Sequence, residues 1–135
     1  MKEKMIQLAL EARKMAYVPY SHYTVGAALL TEDGEIYCGC NIESASYGAT
    51  NCAERTAFFK AISEGKRNFS AIAIAGGMEG EEPKEYAYPC GICRQVIKEF
   101  VKDDFRIIVA RSLTDYKEYT LSELLPFGFG GDSIK

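Results

Sequence analysis

The sequence predicts an α/β layer structure built on a central mixed sheet. Three observations carry this: an amphipathic helical pattern opens the chain, an Asp-Gly hairpin joins the next two strands, and helices then alternate with strands as far as Leu125. Met5, Leu8, Ala9, Ala12, Met15 and Ala16 fall at helical spacing with Lys, Glu and Arg between them, which predicts a helix over 2–16 that Pro19 ends. Thr24 to Leu30 is a nearly unbroken apolar run, as expected of a strand covered on both faces. Asp33-Gly34 marks a tight turn. The return strand alternates, with Ile36, Cys38, Cys40 and Ile42 on one face and Tyr37, Gly39, Asn41 and Glu43 on the other. Residues 44–50 read as a loop, 51–64 as a helix, 69–75 as a buried strand and 76–88 as a polar surface loop. A helix over 90–102, a strand over 105–110, a short strand around Tyr119 and a brief helix over 122–125 complete the ordered part. The glycine-rich tail, Phe127 to Gly131, is expected to be mobile unless something holds it.

Residues 1–135 have the length of a single domain. A hydrophobic fraction of 47% and a charged fraction of 26% are those of a globular protein, and exclude disorder and coiled coil. The net charge of −3 argues against a nucleic-acid clamp, which needs a basic surface. No apolar run approaches the roughly 18 residues of a membrane span. The charges threaded through residues 1–14 do not resemble an export signal, so a soluble cytoplasmic protein is expected.

Five cysteines, an odd number in such a chain, argue against a disulfide framework, and the one histidine, His22, excludes a histidine-rich metal site. Cys90-Gly-Ile-Cys93 follows Pro89, a residue that commonly opens a helix. Two cysteines three apart on a first helical turn share a face, so both sulfurs reach one ion, and the helix N-terminus favours their thiolates. Taken alone, the pair reads as a zinc site or, against that, as a redox dithiol or two core thiols. Cys52-Ala-Glu54 opens the other helix, 38 residues before Cys90, so that two helix N-termini meeting beside a sheet gather three thiolates. Cys38 and Cys40 lie on the apolar face of their strand and read as core. Three ligands and one open position, occupied by a water, is the coordination of a catalytic zinc. Three thiolates around a dication leave a charge of −1, and the helix N-termini together with Arg55 are the groups available to offset it.

Cys52-Ala-Glu54 with Pro89-Cys-Gly-Ile-Cys93 resembles the zinc signature of the cytidine deaminase family. The similarity extends to Pro19-Tyr-Ser21, Val25-Gly-Ala-Ala28, Gly39-Cys-Asn-Ile-Glu43, Tyr47, Asn51 to Ala57 and Leu124-Leu-Pro126, in order along nearly the whole chain. The resemblance implies an α/β/α layered fold and a homotetramer whose sites are shared between subunits. It implies one zinc per chain on Cys52, Cys90 and Cys93, and hydrolysis of cytidine and 2′-deoxycytidine to uridine, 2′-deoxyuridine and ammonia in pyrimidine salvage. In it Glu54 is the general acid and base, Asn41 and Glu43 bind the ribose hydroxyls, and Tyr23 stands where the family usually has a phenylalanine packing on the base. Ala53 also joins the substrate-binding set, and Phe129 matches an aromatic that reaches a neighbouring subunit's site. Two other readings remain open at this stage. One is a deaminase of a cytosine nucleoside antibiotic such as blasticidin S; the other is a structural zinc or redox thiol module, which leaves Glu54 and the Asn41/Glu43 pair without a use.

Overall fold

The computed structural model describes residues 1–134. A helix, α1 (Lys2–Ala12), continues into a 3-10 turn at Arg13–Met15 and leads to the hairpin β1 (Tyr23–Thr31) and β2 (Ile36–Cys40), turned at Gly34 with a φ of 91°. Then come α2 (Ala53–Ser63), β3 (Phe69–Met78), α3 (Gly91–Phe100), β4 (Arg106–Ala110), β5 (Tyr116–Thr120) and two four-residue helices, α4 (Leu121–Leu124) and α5 (Gly131–Ile134). A capping box on Thr120 and Glu123 starts α4. Among the described residues no helix is long and apolar enough to cross a membrane.

The five strands form one mixed sheet in the order β2-β1-β3-β4-β5. Because β2 and β3 are both antiparallel to β1, they run the same way, and β4 is parallel to β3. Like-directed strands need a crossover: α2 carries the chain from β2 past β1 to β3, and α3 joins the parallel neighbours β3 and β4. Both helices therefore begin at the carboxyl ends of like-directed strands, where open α/β sheets place their ligands. Alternation along β3 separates the layers: Ala71, Ala73 and Ala75 face α1, whereas Ile72 and Ile74 join Phe58, Ile97 and Leu121 beneath α2 and α3.

Several boundaries differ from the expected ones. Met15 is exposed, and the buried stripe of the first helix is Met5, Ile6, Ala9 and Arg13. Strand β3 runs on to Met78, because Gly76 and Gly77 keep their pairing with Val25 and Thr24, so the loop begins only at Glu79. Strand β2 stops at Cys40, and Ile42 instead bridges to Tyr17 and Asn51. The face carrying Tyr37 and Gly39 is covered by α2. The tail is held at Phe129, whose carbonyl accepts from Gln95 Nε2 at 2.9 Å.

Helix α2 lies so close to β2 that a Cβ on Gly39 would stand 2.6 Å from both the Ala53 carbonyl oxygen and the Ala57 nitrogen. Backbone on both sides leaves no room to yield. Gly39→Ala is expected to cost about 1–3 kcal/mol, the usual penalty of overpacking. A thermal melt checks this, and an unchanged midpoint would contradict the close approach.

Candidate metal centre

Cys52 is the N-cap residue of α2 and Cys90 that of α3, so both thiols sit where unpaired helix N–H groups favour an anion. The Cys90 sulfur accepts from the Cys93 backbone N–H at 3.4 Å. Cys93, one turn into α3, is fully buried, Cys52 is half-buried and Cys90 is exposed, so the cluster runs from the core to the surface. The three Sγ atoms lie within 4.8 Å of one another. The Cys52 and Cys90 sulfurs are 3.8 Å apart. Tetrahedral zinc with bonds of about 2.3 Å to sulfur spaces its ligands by about 3.8 Å, so the donor set fits that ion. Cys38 and Cys40 are half-buried on the sheet and stand outside this cluster.

The thiols share charge unequally. A hydrogen bond from the Cys93 thiol, with help from Arg55, pulls the Cys52 thiol down to about 5. The same hydrogen bond and burial push the Cys93 thiol up. Arg55 Nη2 donates to Cys52 Sγ at 3.4 Å and to the Thr50 carbonyl at 3.3 Å, and its buried Nε has no hydrogen-bond partner among the described residues. The guanidinium thus lies directly against the Cys52 sulfur. Glu54, on the first turn of α2 and only 4% exposed, is held among these groups. Burial, aided by the Cys52 charge, pushes its carboxyl up to about 7.

Asn41 and Glu43 are both engaged with the backbone. Asn41 Oδ1 accepts from the Val25 N–H and its Nδ2 donates to the Tyr23 carbonyl, each at 2.9 Å, which ties the amide to the first residues of β1. Glu43 is buried, and its Oε1 accepts the N–H groups of Tyr20 and Ser21 at 3.1 Å each. Hydrogen bonding from Ser21 and Tyr20 holds this carboxyl below the usual range. One oxygen is therefore committed to a turn, which sequence alternation does not foresee. The ring of Tyr23 lies over Gly76 and beside Ala87, and burial pushes its hydroxyl up. Ala53 is fully buried between Cys52 and Glu54. Phe129 is 60% exposed, with its backbone on α3 and its ring free. Arg13, which reads as a solvated helix cation, is buried. The signal that finds it is its spacing of four from Ala9 and seven from Ile6, on the buried stripe.

The family model of the cytidine and deoxycytidylate deaminase zinc-binding region matches residues 1–109. A cytidine deaminase of Sporosarcina psychrophila is 49% identical over 132 residues, covering 98% of this chain and 93% of that protein. The crystal structure of a cytidine deaminase from Burkholderia pseudomallei superposes with a TM-score of 0.87 at 43% identity, covering 96% of this chain and 99% of that one. A blasticidin-S deaminase of Bacillus cereus is more distant, 30% identical over 129 residues, 93% of this chain and 90% of that protein.

Proposed function

The chain belongs to the cytidine and deoxycytidylate deaminase family, and on that footing we propose that it hydrolyses cytidine and 2′-deoxycytidine to uridine, 2′-deoxyuridine and ammonia. The observation that carries this reading is the convergence of Cys52, Cys90 and Cys93 at two helix N-termini, with the buried carboxyl of Glu54 beside Cys52 and Cys93. A redox dithiol needs neither the third sulfur nor the carboxyl.

In this reading Cys52, Cys90 and Cys93 hold one zinc per chain. When bound, zinc supplies a Lewis acid with one open position at which a water becomes acidic near neutral pH. Glu54 takes the proton of the attacking water and delivers it to N3 of the pyrimidine. A C–O bond forms at C4, the C–N bond breaks, and Glu54 carries the second proton to the departing amine, so that ammonia leaves. Burial favours the protonated form of this carboxyl, from which it delivers its proton. Arg55 and the two helix N-termini offset the negative charge of the thiolates. Asn41 and the carboxylate of Glu43 bind the ribose hydroxyls, Tyr23 and Ala53 line the base pocket, and Phe129 reaches a neighbouring subunit. We further read the protein as a cytoplasmic enzyme of pyrimidine salvage and a homotetramer. Association of subunits is supported by a groove of Phe59, Ile92, Val96 and Phe100, with Gln95 and Glu99, between α2 and α3.

Substrate choice tests the assignment. With free cytosine Glu43 lacks its ribose partner, while its other oxygen keeps the Tyr20 and Ser21 N–H groups. An ultraviolet assay is expected to show cytidine turned over at least about a hundredfold more efficiently than cytosine, with blasticidin S a poor substrate. Glu43→Ala narrows the gap by losing activity on nucleosides, and it also loosens the Tyr20–Ser21 turn. Equal efficiency on cytosine and cytidine would overturn the ribose-binding role, and preference for blasticidin S would overturn the substrate.

A further inference from the structure

Arg13 is a buried cation that none of this chemistry uses. It is 7% exposed, and its guanidinium is spent on uncharged oxygens: Nε donates to Thr24 Oγ1 at 3.1 Å, and Nη2 donates to the carbonyls of Met78 at 3.0 Å and Glu81 at 2.8 Å. Thr24 is itself buried and passes its hydroxyl on to the Gly77 carbonyl at 2.9 Å. A Cβ on Gly77 would stand 2.8 Å from Arg13 Nη2 and 3.0 Å from Pro83 Cα, so the slot for the guanidinium exists because residue 77 is glycine. Burying a charge against neutral acceptors is costly, and the return must come from what those acceptors fix.

What they fix is the start of β1 and the point where the chain leaves β3. Thr24 lies between Tyr23 and Val25, the two residues whose backbone C=O and N–H hold the Asn41 amide at 2.9 Å on each side. The two carbonyls gripped by Arg13, that of Met78 at the end of β3 beside Tyr23 and that of Glu81 in the loop that follows, fix the start of the segment that runs on to Cys90. Strand ends are where a sheet opens most easily, and this one carries two groups of the substrate pocket. We propose that Arg13 is a positioning residue for the nucleoside: acting through Thr24, it holds the start of β1 so that Asn41 and Tyr23 are set before substrate arrives. The proposal rests on the reading of Asn41 and Tyr23 as substrate-binding residues.

The test uses the zinc-loaded full chain with Arg13→Met and Arg13→Lys. Zinc per chain, kcat and KM for cytidine, and hydrogen exchange of the Val25 amide are measured. A residue that only positions substrate raises KM about tenfold in Arg13→Met with kcat within about twofold, because ground and transition states lose the same contacts. Zinc stays at one per chain, the Val25 amide exchanges faster, and lysine, which keeps the charge but not the two-armed grip, restores part of the affinity. Should Arg13→Met fold poorly, Arg13→Lys reads the same KM. An unchanged KM beside a lowered melting temperature would reduce Arg13 to a structural residue and overturn the proposal. Failure of Asn41→Ala to raise KM would instead remove the substrate reading, while the Val25 exchange still decides whether Arg13 positions Asn41.

Discussion

Cys93→Ala is expected to bring bound zinc from one per chain to near zero and to remove turnover with it. Cys93 is the buried member of the cluster, on the first turn of α3, and its own N–H donates to the Cys90 sulfur. Its loss leaves two thiols, one of them exposed, and two ligands do not close a zinc site. Metal binding and folding share free energy, so the melting midpoint falls as well. Replacing the thiol by a hydrogen removes a single heavy atom, and most of that fall should come from the lost ion. Wild type stripped with a chelator and the variant should therefore melt within a few degrees of each other. Elemental analysis and a thermal melt with and without chelator check both halves. Zinc retained at one per chain and full affinity would show that the ligand set is wrong.

Glu54→Gln separates holding the metal from moving the proton. The amide has the shape of the carboxyl and enters the same buried position, but it cannot carry a proton between water, N3 and the leaving amine. Positioned acid/base groups contribute roughly a hundredfold to ten-thousandfold, so turnover is expected to fall by at least about a hundredfold. Zinc stays at one per chain, since the three sulfurs are untouched, and cytidine still binds. Metal analysis, steady-state kinetics and a binding titration make the comparison. Turnover near the wild-type rate would remove Glu54 from the acid/base role and point to another proton carrier.

Some of this site is legible in sequence for a local reason. A proline before Cys-x-x-Cys and a cysteine two before Glu54 mark helix N-termini, and helical spacing then decides which side chains share a face. The parallel direction of β2 and β3, which brings the two N-termini together, follows from a helix-strand alternation that is also visible in sequence. Asn41 and Glu43 are harder to place, because period-two alternation stops being informative where β2 ends at Cys40. From there the two side chains are held by distant backbone groups, at Tyr23 and Val25 and at Tyr20 and Ser21, that no local pattern encodes. Gly76 and Gly77 read as loop because glycine weakens a strand, yet tertiary pairing with β1 keeps them in the sheet. Arg13 is hidden for a related reason: charge on a helix reads as solvent-facing, and only its place on the Ala9 stripe betrays its burial.

The central claim, that three cysteines and one glutamate form a hydrolytic zinc site for cytidine, is tested most directly by a metal titration. The full chain is stripped with a chelator and zinc is returned in measured portions while loss of cytidine absorbance is followed. The account predicts no turnover in the stripped protein, a linear rise with added zinc and a sharp plateau at one equivalent per chain. Turnover that persists undiminished in the stripped protein, or a full equivalent of zinc bound without any conversion of cytidine, would contradict it.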